Sequence, residues 1–390
     1  MVATGKKTSV LINGPLPPQT GGMETYCQDY LRTNLSAQYS ISHCRAILIG
    51  SILKTRGPVR FALRCLNSLA ITCVWMVMLV IKRPAIVHVH TNSYAGFYVK
   101  CGLTLLGRLV GAKTVLHMHG GGFKDFYRSK GRLSSWLIRR LICVNSAMIV
   151  LSEEWRQFFL SIGIPGEKLC VMTNAVFVPE APNRAGNSEY VTVLFMSRFE
   201  KSKGIRELLD VIERKDDFLR RCRFVMAGPK THDWTAVSER VAQTEMSGQV
   251  EMPGLLRGER KHRAYQDADI YLLQSYAEGM PIGLLEAMSY GLACITTSVG
   301  GIPDVIQDED NGLLIPPGDS DALADTLEHL VKDDALRRRL GARGRETVEK
   351  RFDWNVRAEE ISRFYQTLLQ SDVPKREKRS DESIHAPLGG

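Results

Sequence analysis

The feature that most restricts the fold of this chain is a repeated rhythm. Short apolar runs rich in β-branched and aromatic residues alternate with longer stretches of helical period, and the whole series occurs twice. This is the pattern of parallel sheets wound with helices. In the first series the strand candidates are Ser9 to Asn13, Ala85 to His90, Thr114 to His119, Ala147 to Ser152 and Lys168 to Met172. The second runs through Tyr190 to Met196, Arg223 to Ala227, Gln249 to Met252, Ile270 to Gln274, Ala293 to Thr297 and Gly312 to Ile315. Between them lies Phe177 to Ser188 (FVPEAPNRAGNS), rich in Pro, Asn and Gly and poor in apolar residues, as a linker is. A chain of 390 residues exceeds what one core usually fills. The expected class is therefore α/β, with two tandem doubly wound parallel-sheet domains, residues 1–178 and 189–352, joined by residues 179–188. A last helical pattern over residues 353–370 precedes a polar segment, residues 371–390, expected to be disordered.

Charge distinguishes the two halves. Residues 1–180 hold 21 Lys and Arg against 7 Asp and Glu, or +14, whereas residues 181–390 hold 30 against 35, or −5. A basic half attracts anionic partners. Its cations are scattered among helices without the aromatic interleaving of a nucleic-acid platform, so an anionic membrane surface is expected and nucleic acid is not. The nine cysteines are odd in number, sit mostly among apolar neighbours and never form Cys-x-x-Cys. They read as reduced thiols in a reducing compartment, with no disulfide framework and no zinc site. Met1 to Lys7 run straight into a strand-like segment, so no signal peptide is expected. Leu69 to Ile81 (LAITCVWMVMLVI) is strongly apolar, but at 13 residues, or about 17 with Cys65 to Ser68, it falls at or below the ~20 needed to span a bilayer. A buried or interface-facing helix is expected there ahead of shallow membrane insertion, and a true span last.

In doubly wound sheets ligands sit beyond the carboxyl ends of the strands, so the residues just after each strand carry the chemistry. After the first strand, Gly21 and Gly22 open a helix from about Met23, where backbone N–H groups and the helix dipole could meet a phosphate. The same glycines could serve only a turn. After Thr114 to His119 comes a glycine run, Gly120 to Gly122, which places His119 at the ligand edge, to donate either to a sugar hydroxyl or to its own backbone. His88, His90 and His117 fall inside strands and read as satisfied core residues, not as a metal cluster.

In the second series Arg198 and Lys203 flank a turn before a helix. Two cations there suit a diphosphate, unless they merely line a solvated loop. The strongest segment is Glu278 to Gly291 (EGMPIGLLEAMSYG). Glu278 precedes a helix starting near Ile282, Gly279, Met280 and Pro281 present backbone amides, and Glu286 follows two turns in. A carboxylate on an otherwise apolar helix needs a partner such as paired ribose hydroxyls; the alternative is a helix cap with an exposed glutamate.

Glu278 to Glu286 resembles the Glu-x7-Glu motif of retaining glycosyltransferases of family four, which have the GT-B architecture of two Rossmann-like domains facing a cleft. Gly21-Gly22, His119-Gly120-Gly121, Asn174, Ser197-Arg198 with Lys203-Gly204, Ala227-Gly228, Gly300 to Asp304, Asn311-Gly312 and Pro317 to Asp319 follow that family's order. The resemblance implies that Arg198 and Lys203 bind a diphosphate, Glu286 the ribose, and Glu278 with Gly279, Met280, Pro281 and Ile282 the transferred hexose. It further implies that His119 contacts the sugar, Gly21 and Gly22 face the phosphates, and Leu255 or Leu256 lines the base. Asn174 and Gly228 belong to the same donor site. His119, Arg198, Lys203 and Glu278 are the catalytic candidates. No cofactor is implied beyond the nucleotide-diphosphate sugar as donor substrate, and no metal, since no Asp-x-Asp stands in the expected place. The family often has Gly-Phe-Gly where this chain has Gly279-Met280-Pro281, which leaves the hexose open. Its C-terminal helix commonly crosses back onto the first domain, so residues 353–370 are expected to do so.

The function expected is retaining hexosyl transfer from a UDP- or GDP-sugar to a lipid-linked or saccharide acceptor at the inner face of the cytoplasmic membrane. The rivals are an epimerase or phosphorylase-like catalyst of the same fold, and a non-catalytic sugar-nucleotide-binding partner.

Overall fold

The computed structural model describes residues 7–17, 21–46, 57–180 and 189–371. Most of the expected linker, residues 181–188, and the tail from residue 372 onward lie outside the described residues. Among the described residues, twelve strands form two six-stranded sheets. The first contains β1 (Thr8–Gly14), β2 (Tyr39–Arg45), β3 (Ile86–Thr91), β4 (Lys113–Met118), β5 (Ala147–Val150) and β6 (Leu169–Val171), in the order β2-β1-β3-β4-β5-β6. The second contains β7 (Val191–Met196), β8 (Cys222–Ala227), β9 (Val250–Gly254), β10 (Ile270–Leu273), β11 (Ala293–Thr297) and β12 (Leu313–Ile315), in the order β12-β11-β10-β7-β8-β9. Every pairing is parallel.

One strand, β2, was not among the expected runs. Its residues YSISHCR mix Ser and His with a single branched aliphatic, and it sits at the sheet edge with Ser40 and Arg45 exposed. An edge strand buries one partner face only, so its apolar signal is thin. Backbone pairing with β1 from Thr8↔Tyr39 to Gly14↔Arg45 holds it in place.

Because side chains alternate across a strand, each sheet has two apolar faces that helices must cover. In the first sheet Val10, Ile12, Ile86, Val115 and Ile149 meet Tyr26, Tyr30, Trp354, Ile361 and Tyr365. On its other face Leu11, Val87 and Val89 meet Ile71, Trp75 and Leu79, while Leu116, Met118, Met148 and Val150 meet Phe97, Ile138 and Ile142. In the second sheet Val193, Phe195, Phe224 and Leu272 pack against Leu208, Leu209 and Leu327. All nine cysteines are free thiols.

The helix Trp354–Gln370 lies on the first sheet, not the second. The Tyr365 hydroxyl is 3.0 Å from that of Tyr30 and 2.5 Å from His88 Nδ1, and the Tyr39 hydroxyl donates to the Ser362 carbonyl at 3.1 Å. A short backbone bridge leads the chain there: the Val176 amide donates to Phe352 O at 2.9 Å and the Trp354 amide to Val176 O at 3.0 Å.

The apolar segment Leu69 to Ile81 is part of a longer helix, Gly57–Lys82, of 26 residues. The expectation that it is too short to cross a bilayer is therefore corrected: by length and composition the full helix could do so. Its first turns, VRFALRC, carry Arg60 and Arg64 on a helix-forming stretch, so helicity runs on well before the apolar block begins.

Candidate functional site

The carboxyl ends of the two sheets face each other across a cleft of about 1090 Å³, ample for a nucleotide sugar. Gly21, Gly22, His119, Asn174, Arg198, Lys203, Gly228, Leu255, Leu256, Glu278, Gly279, Met280, Pro281, Ile282 and Glu286 all line it. Residues 200 positions apart along the chain thus meet because each follows the end of a parallel strand.

The helix Ile282–Ser289 begins directly after Pro281, with no side-chain cap on its first amides. Those amides and the loop before it face the first sheet's loops at close range. A Cβ on Gly121 would lie 3.0 Å from the Glu278 carbonyl carbon, and one on Gly279 would lie 3.0 Å from His119 O. The Asn174 side-chain amide donates to Met280 O at 2.7 Å, and the Gly301 amide donates to Gly279 O at 2.8 Å. The Glu278 loop is therefore held on both sides at close range, and a side chain on Gly121 or Gly279 would force the facing backbone to give.

The charged groups are paired within the cleft. Lys203 Nζ lies 2.7 Å from Glu278 Oε1, which also accepts from Ser275 Oγ at 2.7 Å. Arg198 lies 3.2 Å from Glu200 Oε1 and is half exposed, so the two cations do not share a partner. Glu286 is held by Lys261 through one oxygen and by the Tyr265 hydroxyl, at 3.0 Å, through the other. Each carboxylate has its own cation, and a bound anionic ligand would have to exchange these pairs for its own charge.

Glycine geometry fixes Lys203. Gly204 has φ 72° and caps the helix Ile205–Ile212, and a Cβ there would stand 2.2 Å from Gln274 O. Gly204→Ala is expected to cost ~2–4 kcal/mol, from the left-handed backbone and the overlap together. Urea unfolding would measure it, and an unchanged midpoint would contradict the geometry. Gly228 is tighter still, since its Cβ would fall 1.9 Å from Ser197 O.

His119 is part of a column of imidazoles. His90 Nδ1 lies 2.9 Å from His119 Nε2, His88 Nε2 lies 3.2 Å from His117 Nδ1, and the rings of His117 and His119 stack at 4.1 Å. Burial pushes His88 and His119 down to about 3 and holds His90 and His117 well below the ordinary range, so all four are neutral. The expectation of fully satisfied core histidines is corrected: among the described residues, Nε2 of His90 and of His117 has no hydrogen-bond partner. His88, His90 and His117 each bring a ring nitrogen within 4.8 Å of the others. Both nitrogens of His88 are already engaged, and the formal charges that act on His90 and His117 come from Lys100 and Arg357, both positive, so a divalent ion would meet repulsion there.

Several cleft residues carry no motif in the sequence. Asp29, Lys261, Tyr265, Asn92 and Tyr94 line the cavity. Burial and the nearby Glu286 push the Asp29 carboxyl up to about 6. Tyr94 holds a left-handed backbone, φ 67°, at the start of the helix Ala95–Leu109. The only sequence signal for these was position: Lys261 and Tyr265 are four apart on the helix Gly258–Gln266, hence on one face.

Residues 179–347 match the family described as glycosyl transferases group 1, and residues 55–175 match a glycosyl transferase 4-like domain. A phosphatidyl-myo-inositol mannosyltransferase of Mycobacterium leprae is 35% identical over 249 residues, which are 62% of this chain and 63% of that relative. The aligned stretch therefore spans less than two thirds of the relative's length. Among solved structures, a sucrose-phosphate synthase of Thermosynechococcus elongatus is similar at a TM-score of 0.76 and 18% identity, covering 94% of this chain and all (100%) of that one. HepE of Anabaena, solved with UDP-glucose, is similar at a TM-score of 0.70 and 15% identity, covering 92% of this chain and 99% of that one. These likenesses show the fold, the GT-B arrangement of two facing parallel-sheet units.

Proposed function

Since the chain belongs to the group 1 glycosyl transferases of the GT-B fold, we propose that it moves a hexose from a UDP- or GDP-sugar to a lipid-linked or saccharide acceptor, with retention of anomeric configuration. The acceptor belongs to surface or extracellular polysaccharide assembly at the inner face of the cytoplasmic membrane. The observation that carries this reading is the convergence of Arg198, Lys203, Glu278 and Glu286 on one cleft beside the amides of Gly279 to Ile282. Two cations and a row of amides suit a diphosphate, and two carboxylates suit the hydroxyls of a ribose and a hexose. That HepE was solved with UDP-glucose, and that the Mycobacterium relative's name specifies a phosphatidylinositol acceptor, supports a nucleotide-sugar donor and a lipid-linked acceptor here.

In this mechanism the C1–O bond to the leaving phosphate breaks with its electron pair going to the diphosphate. The acceptor oxygen forms the new C1–O bond on the same face, and its proton passes to the departing phosphate oxygen. Lys203, freed from Glu278 by the donor, and Arg198 offset the charge that develops on the diphosphate. Glu278 and the amides hold the hexose, His119 meets it from the first sheet as a neutral imidazole, and Leu255 and Leu256 flank the base. Gly21 and Gly22 approach the phosphates from the opposite wall. The scheme requires no metal ion, and undiminished transfer in a chelator is expected.

A thermal-shift panel of nucleotide sugars tests the donor. A matching donor at ~100 times its Kd should add ~2.7 kcal/mol of apparent stability. Labelled transfer followed by NMR of the anomeric proton then tests retention. Epimerised or phosphorolysed product in place of a glycoside would sink the reading, as would a flat panel.

A further inference from the structure

The column of imidazoles beside the cleft leaves two of its ring nitrogens unused, and those two fix the direction of its hydrogen bonds. A neutral imidazole bears one N–H, and the bond made at one nitrogen decides which nitrogen holds it. His90 Nδ1 and His119 Nε2 stand 2.9 Å apart, so one of the two holds the proton between them. Were it His119, His90 would carry its own proton on Nε2; if it is His90, that Nε2 is a bare electron pair. His90 Nε2 is buried and has no hydrogen-bond partner among the described residues. In protein interiors an N–H without a partner is a rarer defect than an acceptor without one.

The surroundings of that nitrogen favour the same choice. The ring edge bearing Cδ2 and Nε2 lies against the end of β1, where a Cβ on Gly14 would come within 3.2 Å of His90 Cδ2 and overlap Cys27 Sγ. Lys100, a cation that acts on His90, is hydrogen-bonded to Asn13 beside that glycine, and a positive charge favours an electron pair over an N–H. The proton therefore belongs on His90 Nδ1. His119 accepts it at Nε2 and carries its own proton on Nδ1.

A second string obeys the same rule. His117 Nε2 is likewise buried and without a partner among the described residues, so His117 donates from Nδ1 to His88 Nε2 at 3.2 Å. His88 then donates from Nδ1 to the Tyr365 hydroxyl at 2.5 Å, and that hydroxyl donates to Tyr30 at 3.0 Å. No two donors face each other along it. The strings stack on one another, His88 on His90 at 4.6 Å and His117 on His119 at 4.1 Å, so the rings hold each other in place. Of the four, His119 is the one that lines the cleft, and its Nδ1 is the nitrogen left for a ligand.

We propose that His90 is a positioning residue: it fixes His119 with the proton on Nδ1, so that His119 presents an N–H, and not a lone pair, to an oxygen of the bound hexose. The proposal rests on the reading that His119 meets the donor sugar. A hydroxyl both donates and accepts, so a fixed N–H settles its direction: the sugar oxygen accepts from His119 and its hydrogen is left for another acceptor. A free imidazole side chain favours the proton on Nε2, so the protein holds His119 in its less common form.

The test is long-range proton–nitrogen NMR of the full chain with isotope-labelled histidines at neutral pH, the rings assigned with His90→Asn and His119→Gln. His90 and His119 should each show a protonated Nδ1 and a bare Nε2. A proton on Nε2 of His119, exchange between the two forms, or an imidazolium would overturn the proposal. Asn and Asp at position 90 have one shape but differ in what they offer, since the amide can donate where Nδ1–H stands and the carboxylate only accepts. His90→Asp should move the His119 proton to Nε2 and lower kcat ~10-fold relative to His90→Asn, the scale of one hydrogen bond to the sugar. Equal kcat in the two folded variants, or an unmoved tautomer in His90→Asp, would also overturn it; should that variant fail to fold, the wild-type spectrum decides. A proton on His119 Nε2 with intact transfer would remove this wiring and leave the donor reading standing. The Nδ1-protonated form in a protein that transfers no sugar would sink the donor reading, and with it the role given to that N–H.

Discussion

Lys203→Ala is expected to lower sugar transfer by ~100-fold or more, on the scale of losing one preorganised charge at a developing anion. The structure gives this residue a specific task. Its ammonium is 2.7 Å from Glu278 and mostly withdrawn from water, with 20% of the side chain exposed, so it sits in a site where electrostatics are weakly screened. The Gly204 turn behind it leaves the backbone no freedom to compensate. Removing the ammonium also leaves Glu278 facing the donor with Ser275 as its remaining partner, a negative charge near a negative ligand. The loss should therefore appear in turnover and in donor affinity together, whereas Arg198→Ala, whose side chain is 55% exposed, should cost less. Steady-state kinetics on variants with unchanged thermal unfolding decides it. Near-normal turnover by Lys203→Ala would remove the residue from the mechanism.

The second large effect is acid lability. His88, His90 and His117 are each fully buried and neutral, and burial places their titration far below that of a free imidazole. In the unfolded chain each takes up a proton near pH 6.5. Below that value unfolding binds protons that the folded protein refuses, so stability is complete above pH 6.5 and falls as pH drops toward the folded-state values. The slope is ~1.4 kcal/mol per pH unit for each group, or ~4 kcal/mol for three by about pH 5.5. Against a typical stability of ~5–15 kcal/mol that loss is severe. Urea midpoints measured from neutral to mildly acid pH should show it, and His88→Gln should flatten the slope by about one proton. A midpoint that does not move over that range would mean that these rings are protonated or hydrated in the folded state.

The architecture was legible in the sequence because it rests on local patterning. Eleven of the twelve strands coincide with apolar β-rich runs, and the turn glycines and the Glu278 to Glu286 spacing stand where a parallel sheet presents its ligand edge. The missing strand, β2, is an edge strand whose Ser-rich sequence carries little of that pattern. The Gly57–Lys82 helix was longer than its apolar block, since helix continuation depends on propensity over turns that look merely basic.

What the sequence by itself determined is which residues follow strands, since strand and helix periods are written in nearest neighbours. Only the tertiary structure decided who meets whom: Lys203 with Glu278, Lys261 with Glu286, Asn174 with Met280, and a pile of imidazoles under Tyr365 from the far end of the chain. Those pairings join elements 25 to 277 residues apart along the chain, set by packing two sheets and a returning helix, and no local period encodes them. The same holds for the helix Gly57–Lys82, because a hydrophobic helix looks alike whether its outer stripe meets protein, water or lipid until its inner stripe is seen in place.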